Sequence, residues 1–449
     1  MEDNLMNEQK QTIRRLRMKF SSKAVLAVTG IMALGLAGCG SSSSDSPAAS
    51  SGTPASSTPL SAAKAVGYVI NTGGSATVKQ PGFSIVDRKT NSVTKTIRIT
   101  DGTPSVGHFA NLTADGTELW LCTNKADGSA GDVNVLNTAV FGTYSTLNSS
   151  NKSAFIKKAF TAVGCGVQSV QTPDGSYLFT ANGQGTKGIN VFDVKNHTYL
   201  GNITNGNTAP HVGAVSPDGK IYYTTKSIPA NTSTTPPTDA IVRAVGYDIS
   251  GLPSKVPTDA DKVLDVDFGY GSLHALRLHP NGKYLFVGNN TWPVPAGKTS
   301  TSGLNVIDIA AKKIIKTVPG RPHNYALSPD VRYLSSTDES SGGCNYTGDD
   351  GALVQFVDIS TLLAGTPDPA KIVTLYQFER PGYGGSHAAW DATTGLFYYS
   401  VSDTTGQGWL YVLNTANLSA TPASVSEVGV KLKIGWKPHG FAFAGINGD

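Results

Sequence analysis

Six of the eight histidines in this 449-residue chain occupy one recurring position. His323, in the stretch RPHNYALSPD, stands seven residues before Asp330, and His108, His211 and His274 stand equally far before Asp115, Asp218 and Asn281. His387 holds the same position before Thr394, and His439 holds it by its place in a strand, with no turn following it. A seventh segment carries Val167 there, with Cys165 two residues earlier, while His197 and His279 lie outside the register. With so few histidines, six matches in seven segments are not accidental.

Neutral imidazole is the commonest protein ligand for zinc, copper, iron and nickel, at roughly 2 Å per bond. If the fold brings these side chains together, they form a metal or anion site. The plainer reading is inheritance: repeats arise by duplication, and one ancestral histidine can persist as a packing or loop-bonding residue. The neighbouring positions have diverged freely (Val212, Ala275, Asn324, Ala388, Gly440) while the imidazole remains. Both readings stand at this point.

The elements that carry the histidines repeat as well. Each of the first six segments runs from a short apolar strand into Pro-Asp-Gly or a relative, then into a strand rich in Tyr, Leu, Phe and Val. Examples are PHVGAVSPDGKIYYTTK (Pro210–Lys226) and LHALRLHPNGKYLFVGN (Leu273–Asn289). Proline presets φ and glycine tolerates φ > 0, which suits a tight turn between antiparallel strands. A third strand follows, as in GINVFD (Gly188–Asp193) and GLNVID (Gly303–Asp308), and then a fourth such as Ile314–Val318. Four short antiparallel strands per repeat make a propeller blade.

The ends give the count. Ala65–Asn71, Phe83–Asp87 and Thr94–Thr100 are three strands lacking an innermost partner, and Pro438–Ala444 is an innermost strand lacking three. Joining them predicts an all-β, seven-bladed propeller over residues 64–449, closed so that no sheet edge is left inside the ring. The first strand of each blade lines the central channel, so equivalent residues sit at one height around the axis. Six imidazoles are therefore expected at the channel mouth. The second strands end in Asn71, Asn124, Asn182, Lys226, Asn289 and Asp338 on the same face, where such residues cap loops by bonding backbone groups.

The Pro-Asp-Gly repeats and the Gly-x-Asn-Val-x-Asp strands resemble the YVTN, or YncE-like, family of bacterial seven-bladed propellers, across essentially all of residues 65–449. Wider relatives of that architecture are the haem d1 and nitrous oxide reductase propellers. The second of these gathers inner-strand histidines around copper, so the resemblance implies a transition-metal site, copper foremost and zinc or iron otherwise, at His108, His211, His274, His323, His387 and His439. This chain departs from that enzyme. It has no adjacent His-His pair, lacks one blade's ligand, and has no stretch that reads as a cupredoxin domain. Nitrous oxide reduction is not implied, and without a Cys-x-x-Cys-His motif neither is covalently attached haem.

The first 63 residues read as targeting rather than fold. Ala24–Gly38 is a short apolar run behind Arg14, Arg15, Arg17, Lys19 and Lys23, the pattern of a secretory signal. It ends in Leu-Ala-Gly-Cys, resembling the lipobox of bacterial lipoproteins, which implies a signal peptide over 1–38 and lipidation at Cys39. Gly40 after that cysteine favours the outer membrane, and 39–63 is a Ser/Pro-rich flexible tether. Without the first 38 residues the chain holds 30 basic and 29 acidic side chains, which gives no electrostatic case for nucleic acid.

Three cysteines remain after lipidation, all on the histidine face. An exported chain favours a disulfide, and Cys122–Cys165 on adjoining blades is the expected pair, leaving Cys344 idle or as a soft ligand. Nucleophile elbows, phosphate loops and His-Glu-x-x-His motifs do not occur. Two functions follow. One is a lipid-anchored metal-binding propeller in redox or metal handling. The other is an interaction propeller whose loops on that face bind a protein, polysaccharide or small ligand, with structural histidines.

Overall fold

The computed structural model describes residues 65–73, 81–100, 106–125, 130–164, 168–182, 188–204, 210–229, 240–290, 299–318, 322–338, 352–364, 374–380 and 383–443. Cys39, Cys165, Val167, Cys344 and the segments 1–38 and 39–63 lie outside them. Seven antiparallel sheets form the seven expected blades. Among the described residues no helix is long and apolar enough to cross a membrane.

Blade 1 is built on the inner strand Val106–Leu112, blade 2 on Ser169–Gln171, blade 3 on Gly213–Val215 and blade 4 on Leu273–Leu278. Blades 5, 6 and 7 begin with Pro322–Leu327, Tyr383–Trp390 and Pro438–Phe443. Blade 7 is completed by Val66–Asn71, Gly82–Asp87 and Ser92–Ile99, so C-terminal and N-terminal strands share one sheet as the sequence predicts. Each inner strand touches the next, and that of blade 7 touches that of blade 1. The circle is closed.

The turns show why the sequence folds this way. In blade 2 the Thr172 hydroxyl donates to Asp174 Oδ1 at 2.5 Å, Asp174 accepts the Ser176 amide at 3.0 Å, and Gly175 sits at φ +72°. Ser216 and Asp218 in blade 3, and Ser328 and Asp330 in blade 5, repeat the hydroxyl–carboxylate bond at 2.6 Å. In blade 4 the role falls to His279, whose Nδ1 accepts the Asn281 amide at 3.2 Å. Burial holds the His279 imidazole below its ordinary pKa, the neutral form that this acceptor role needs. This histidine belongs to a turn, which explains why it falls outside the register.

Second and third strands are buried on both faces because a blade packs between two others: Leu285, Phe286 and Val287 are all fully buried. Trp120, Val133, Val135 and Phe160 of blade 1 meet Leu178 and Phe192 of blade 2 in one such layer. Fourth strands face solvent on one side and alternate, as in Lys262–Tyr270.

Two details depart from a plain four-stranded plan. Thr146–Leu147, from the insertion between the third and fourth strands of blade 1, pairs parallel with Arg98 and Ile99 and covers the outer edge of blade 7. In blade 6 the outer strand is broken into Ser426–Glu427 and Leu432–Trp436.

Candidate functional site: an axial arc of histidines

Inner strands do not pair regularly at the histidine position. The ladder shifts register between Leu273 and Ala275, between Pro322 and Asn324, and between Gly385 and Ala388. The same happens between Val106 and Ala110, and where Pro438 and Phe441 face Asn71 and Val69. A bulge leaves a residue out of the ladder and re-aims its side chain. Five of the six register histidines sit in such a bulge, and His211 lies two residues ahead of the strand Gly213–Val215.

The backbone amides that these irregularities release are caught by hydroxyls on the second strand. The Ser400 hydroxyl accepts the His387 amide at 3.3 Å, Thr225 accepts that of His211 at 3.1 Å, and Thr337 accepts that of Asn324 at 3.1 Å. These positions carry no chemical signature in the sequence, yet they set the height of the imidazoles.

Five imidazoles then run without interruption from blade 3 to blade 7. Ring centroids of His211 and His274 are 4.3 Å apart and stacked at 18°. His274 to His323 is 5.7 Å, His323 to His387 is 4.8 Å and His387 to His439 is 5.3 Å. His323, His387 and His439 are buried, while His211 and His274 are half-buried. His108 lies in the inner strand of blade 1, in the expected register, but its side chain is outside the described residues. What the sequence predicts as a ring is, among the described side chains, an arc.

Hydrogen bonds orient the buried end of the arc. His439 Nδ1 lies 3.2 Å from the Lys437 carbonyl, which only accepts, so the network assigns the proton to Nδ1 and the lone pair to Nε2. Thr72 Oγ1, 3.3 Å from the same nitrogen, donates to the Lys437 carbonyl at 3.1 Å and closes the triangle. His387 Nδ1 pairs with the Ser386 hydroxyl at 2.9 Å. Fixing one imidazole nitrogen in this way is how proteins orient the other toward a ligand.

Two of the polar second-strand ends cap loops through backbone groups, while Asn71 donates to the Ser84 hydroxyl at 3.0 Å and Lys226 pairs with Asp259. Asn289 accepts the Ser272 amide at 3.1 Å, and Asn182 donates to the Val163 carbonyl at 3.2 Å. Glycines preceding the inner strands lie flat against these amides: a β-carbon on Gly164, Gly271 or Gly435 would collide with Asn182, Asn289 or Asn71. The asparagine of the Gly-x-Asn-Val-x-Asp strand is structural too, since Asn190 donates to the Val163 carbonyl at 3.0 Å. Two of these clasps, Gly271 with Asn289 and Gly435 with Asn71, precede the strands that carry His274 and His439.

Two imidazoles bound side by side to one ion, at about 2 Å per bond, have centroids about 4.5–5 Å apart. The observed neighbour spacings bracket that value. Among the described residues, however, no three His, Cys, Asp or Glu side chains converge as a group that holds a metal. One pair fits by spacing, His323 with His387 at 4.8 Å; a triad is not preformed.

Cys122, at the end of the second strand of blade 1, is buried and disulfide-bonded. Its partner lies outside the described residues, so the pairing with Cys165 stays an expectation.

No family model matches the chain, and no curated protein matches it. Solved structures do. Hydrazine synthase from Kuenenia stuttgartiensis aligns with a TM-score of 0.52 at 17% identity, over 78% of this chain and 90% of that one. A functionally unknown protein from Desulfotomaculum acetoxidans aligns with a TM-score of 0.51 at 14% identity, over 83% and 98%. The dihydro-heme d1 dehydrogenase NirN aligns at 0.47 and 13% identity, over 88% and 78%. At such identities the first two likenesses are of fold alone.

Proposed function

We propose that this propeller is an exported, lipid-anchored protein that takes up a transition-metal ion at its axial histidines, in redox or metal handling. Copper is the foremost candidate, because divalent copper binds imidazole sites more tightly than zinc or iron do. The observation that supports this reading is the unbroken series from His211 to His439, in which every imidazole neighbours another. His387 Nδ1 is engaged by the Ser386 hydroxyl and His439 Nδ1 by the Lys437 carbonyl, which fixes the orientation of both rings. Binding by three ligands requires side-chain rotation. The membrane association rests on Cys39, and the outer membrane on the residue that follows it.

The second reading is an interaction propeller that binds a protein, polysaccharide or small ligand at the histidine face. The lack of a convergent triad among the described residues favours it. Elemental analysis of protein purified without chelators separates the two. Stoichiometric metal that is lost in His211→Ala/His323→Ala supports the first, and a metal-free protein indifferent to added copper or zinc supports the second.

A further inference from the structure

Outside the histidine arc, one cluster holds a cation against two aromatic side chains. Tyr383 opens the inner strand of blade 6 on the histidine face, and Trp409 lies in its third strand, Gln407–Asn414. The Lys431 ammonium sits 4.6 Å from the Tyr383 ring centroid and 4.4 Å from that of Trp409, and also donates to the Tyr383 hydroxyl. Asp403 fixes one wall, accepting the Trp409 indole N–H at 3.1 Å. Asp403 is itself anchored by the backbone amides of Thr405 and Gln407 at 2.9 and 3.0 Å. Burial raises the Asp403 pKa but these hydrogen bonds outweigh it, so the wall carries a negative charge.

Lys431 comes from the segment that interrupts the outer strand, next to Val430, which is 81% exposed. The strand beyond it does not depend on the lysine for its place. Leu432–Trp436 is held by its own pairing, with Leu410 facing Leu432, Trp409 facing Lys433 and Gln407 facing Trp436. The walls are likewise held from behind, where Tyr383 and Trp409 pack on the core between blades 5 and 6.

We propose that Tyr383, Trp409 and Asp403 form a receptor for an alkylammonium ligand, of the quaternary kind that aromatic cages select, and that Lys431 occupies it as an internal plug. The attraction of a cation to aromatic faces grows as the cation sheds water, and a methylated ammonium sheds it more readily than a lysine does. The class of occupant is set by what already sits there: one positive charge against the Trp409 ring and the Tyr383 edge, beside a carboxylate. This inference is independent of metal at the histidines.

The test is calorimetric titration of the full chain with tetramethylammonium, followed also by tryptophan fluorescence, with sodium as the control cation. Lys431→Ala is expected to bind tetramethylammonium up to about fivefold more tightly than the wild type, the scale of one solvent-exposed cation–π contact. Adding Trp409→Ala to that variant is expected to remove the gain. Equal affinity in wild type and Lys431→Ala, or a gain that survives Trp409→Ala, overturns the proposal. So does global unfolding of Lys431→Ala, which would make the lysine a strut rather than a plug.

Discussion

Arg88 Nε lies 2.8 Å from Asp391 Oδ2, and both side chains are fully buried between blades 7 and 6. Arg88 also donates to the Thr393 hydroxyl at 3.1 Å, and Asp391 accepts the Thr393 amide at 2.8 Å. The pair joins residues that are 303 positions apart, close to the seam where the two ends of the fold share a sheet. Removing one partner strands a charge in the interior, which costs about 3–5 kcal/mol. Arg88→Met is expected to lower unfolding stability by that amount in denaturant titrations, and a loss under about 1 kcal/mol would contradict the role.

The turns make a prediction about acid. The Thr172 hydroxyl, followed by the other hydrogen bonds of its turn, holds Asp174 below the usual carboxylate pKa, and the Ser216 hydroxyl does the same for Asp218. A carboxylate depressed in the folded state stabilises the fold above its unfolded pKa of about 4, and that contribution is lost as pH falls through the folded value. Thr172→Val/Ser216→Ala is therefore expected to lose less stability than the wild type between neutral pH and the acid limb. Parallel curves would contradict this.

The glycine–asparagine clasps predict a steric effect, tested most cleanly in blade 2. Gly164 combines φ +88° with contact against Asn182, so Gly164→Ala strains the backbone and forces the amide aside. A cost of about 1–3 kcal/mol is expected. Gly175→Ala, with a similar φ but open space around it, isolates the backbone share and is expected to cost less. Equal losses would remove the clasp from the account.

Cys122 is disulfide-bonded, and peptide mapping without reduction identifies its partner. A Cys122–Cys165 peptide is the expected product, and Cys165→Ser is expected to cost about 2–4 kcal/mol. A Cys122–Cys344 peptide would contradict the pairing.

Much of this architecture was legible because each blade repeats its turn chemistry, and the unpaired strands at the two ends set the count. The histidine register was legible for the same reason. The bulges were not, since Ser400, Thr225 and Thr337 are ordinary strand residues whose role depends on what faces them across the ladder. Nor was the Thr146–Leu147 cover on blade 7, which arises from an insertion with no counterpart in the other repeats. Tyr383, Trp409 and Lys431 were missed because they come from two strands and a connecting segment of one blade and share no spacing. The register places six histidines; five of their side chains are described and form an arc, and that of His108 lies outside the described residues.

The central claim concerns that arc. The direct measurement is the metal content of protein purified without chelators and then offered Cu²⁺, compared with His211→Ala/His323→Ala and with His387→Ala. The account predicts a stoichiometric ion in the wild type, a marked loss in both variants, and thermal stabilisation by the metal in the wild type alone. Absence of bound metal after loading, with an unchanged melting temperature, would contradict it and leave the histidines as structure.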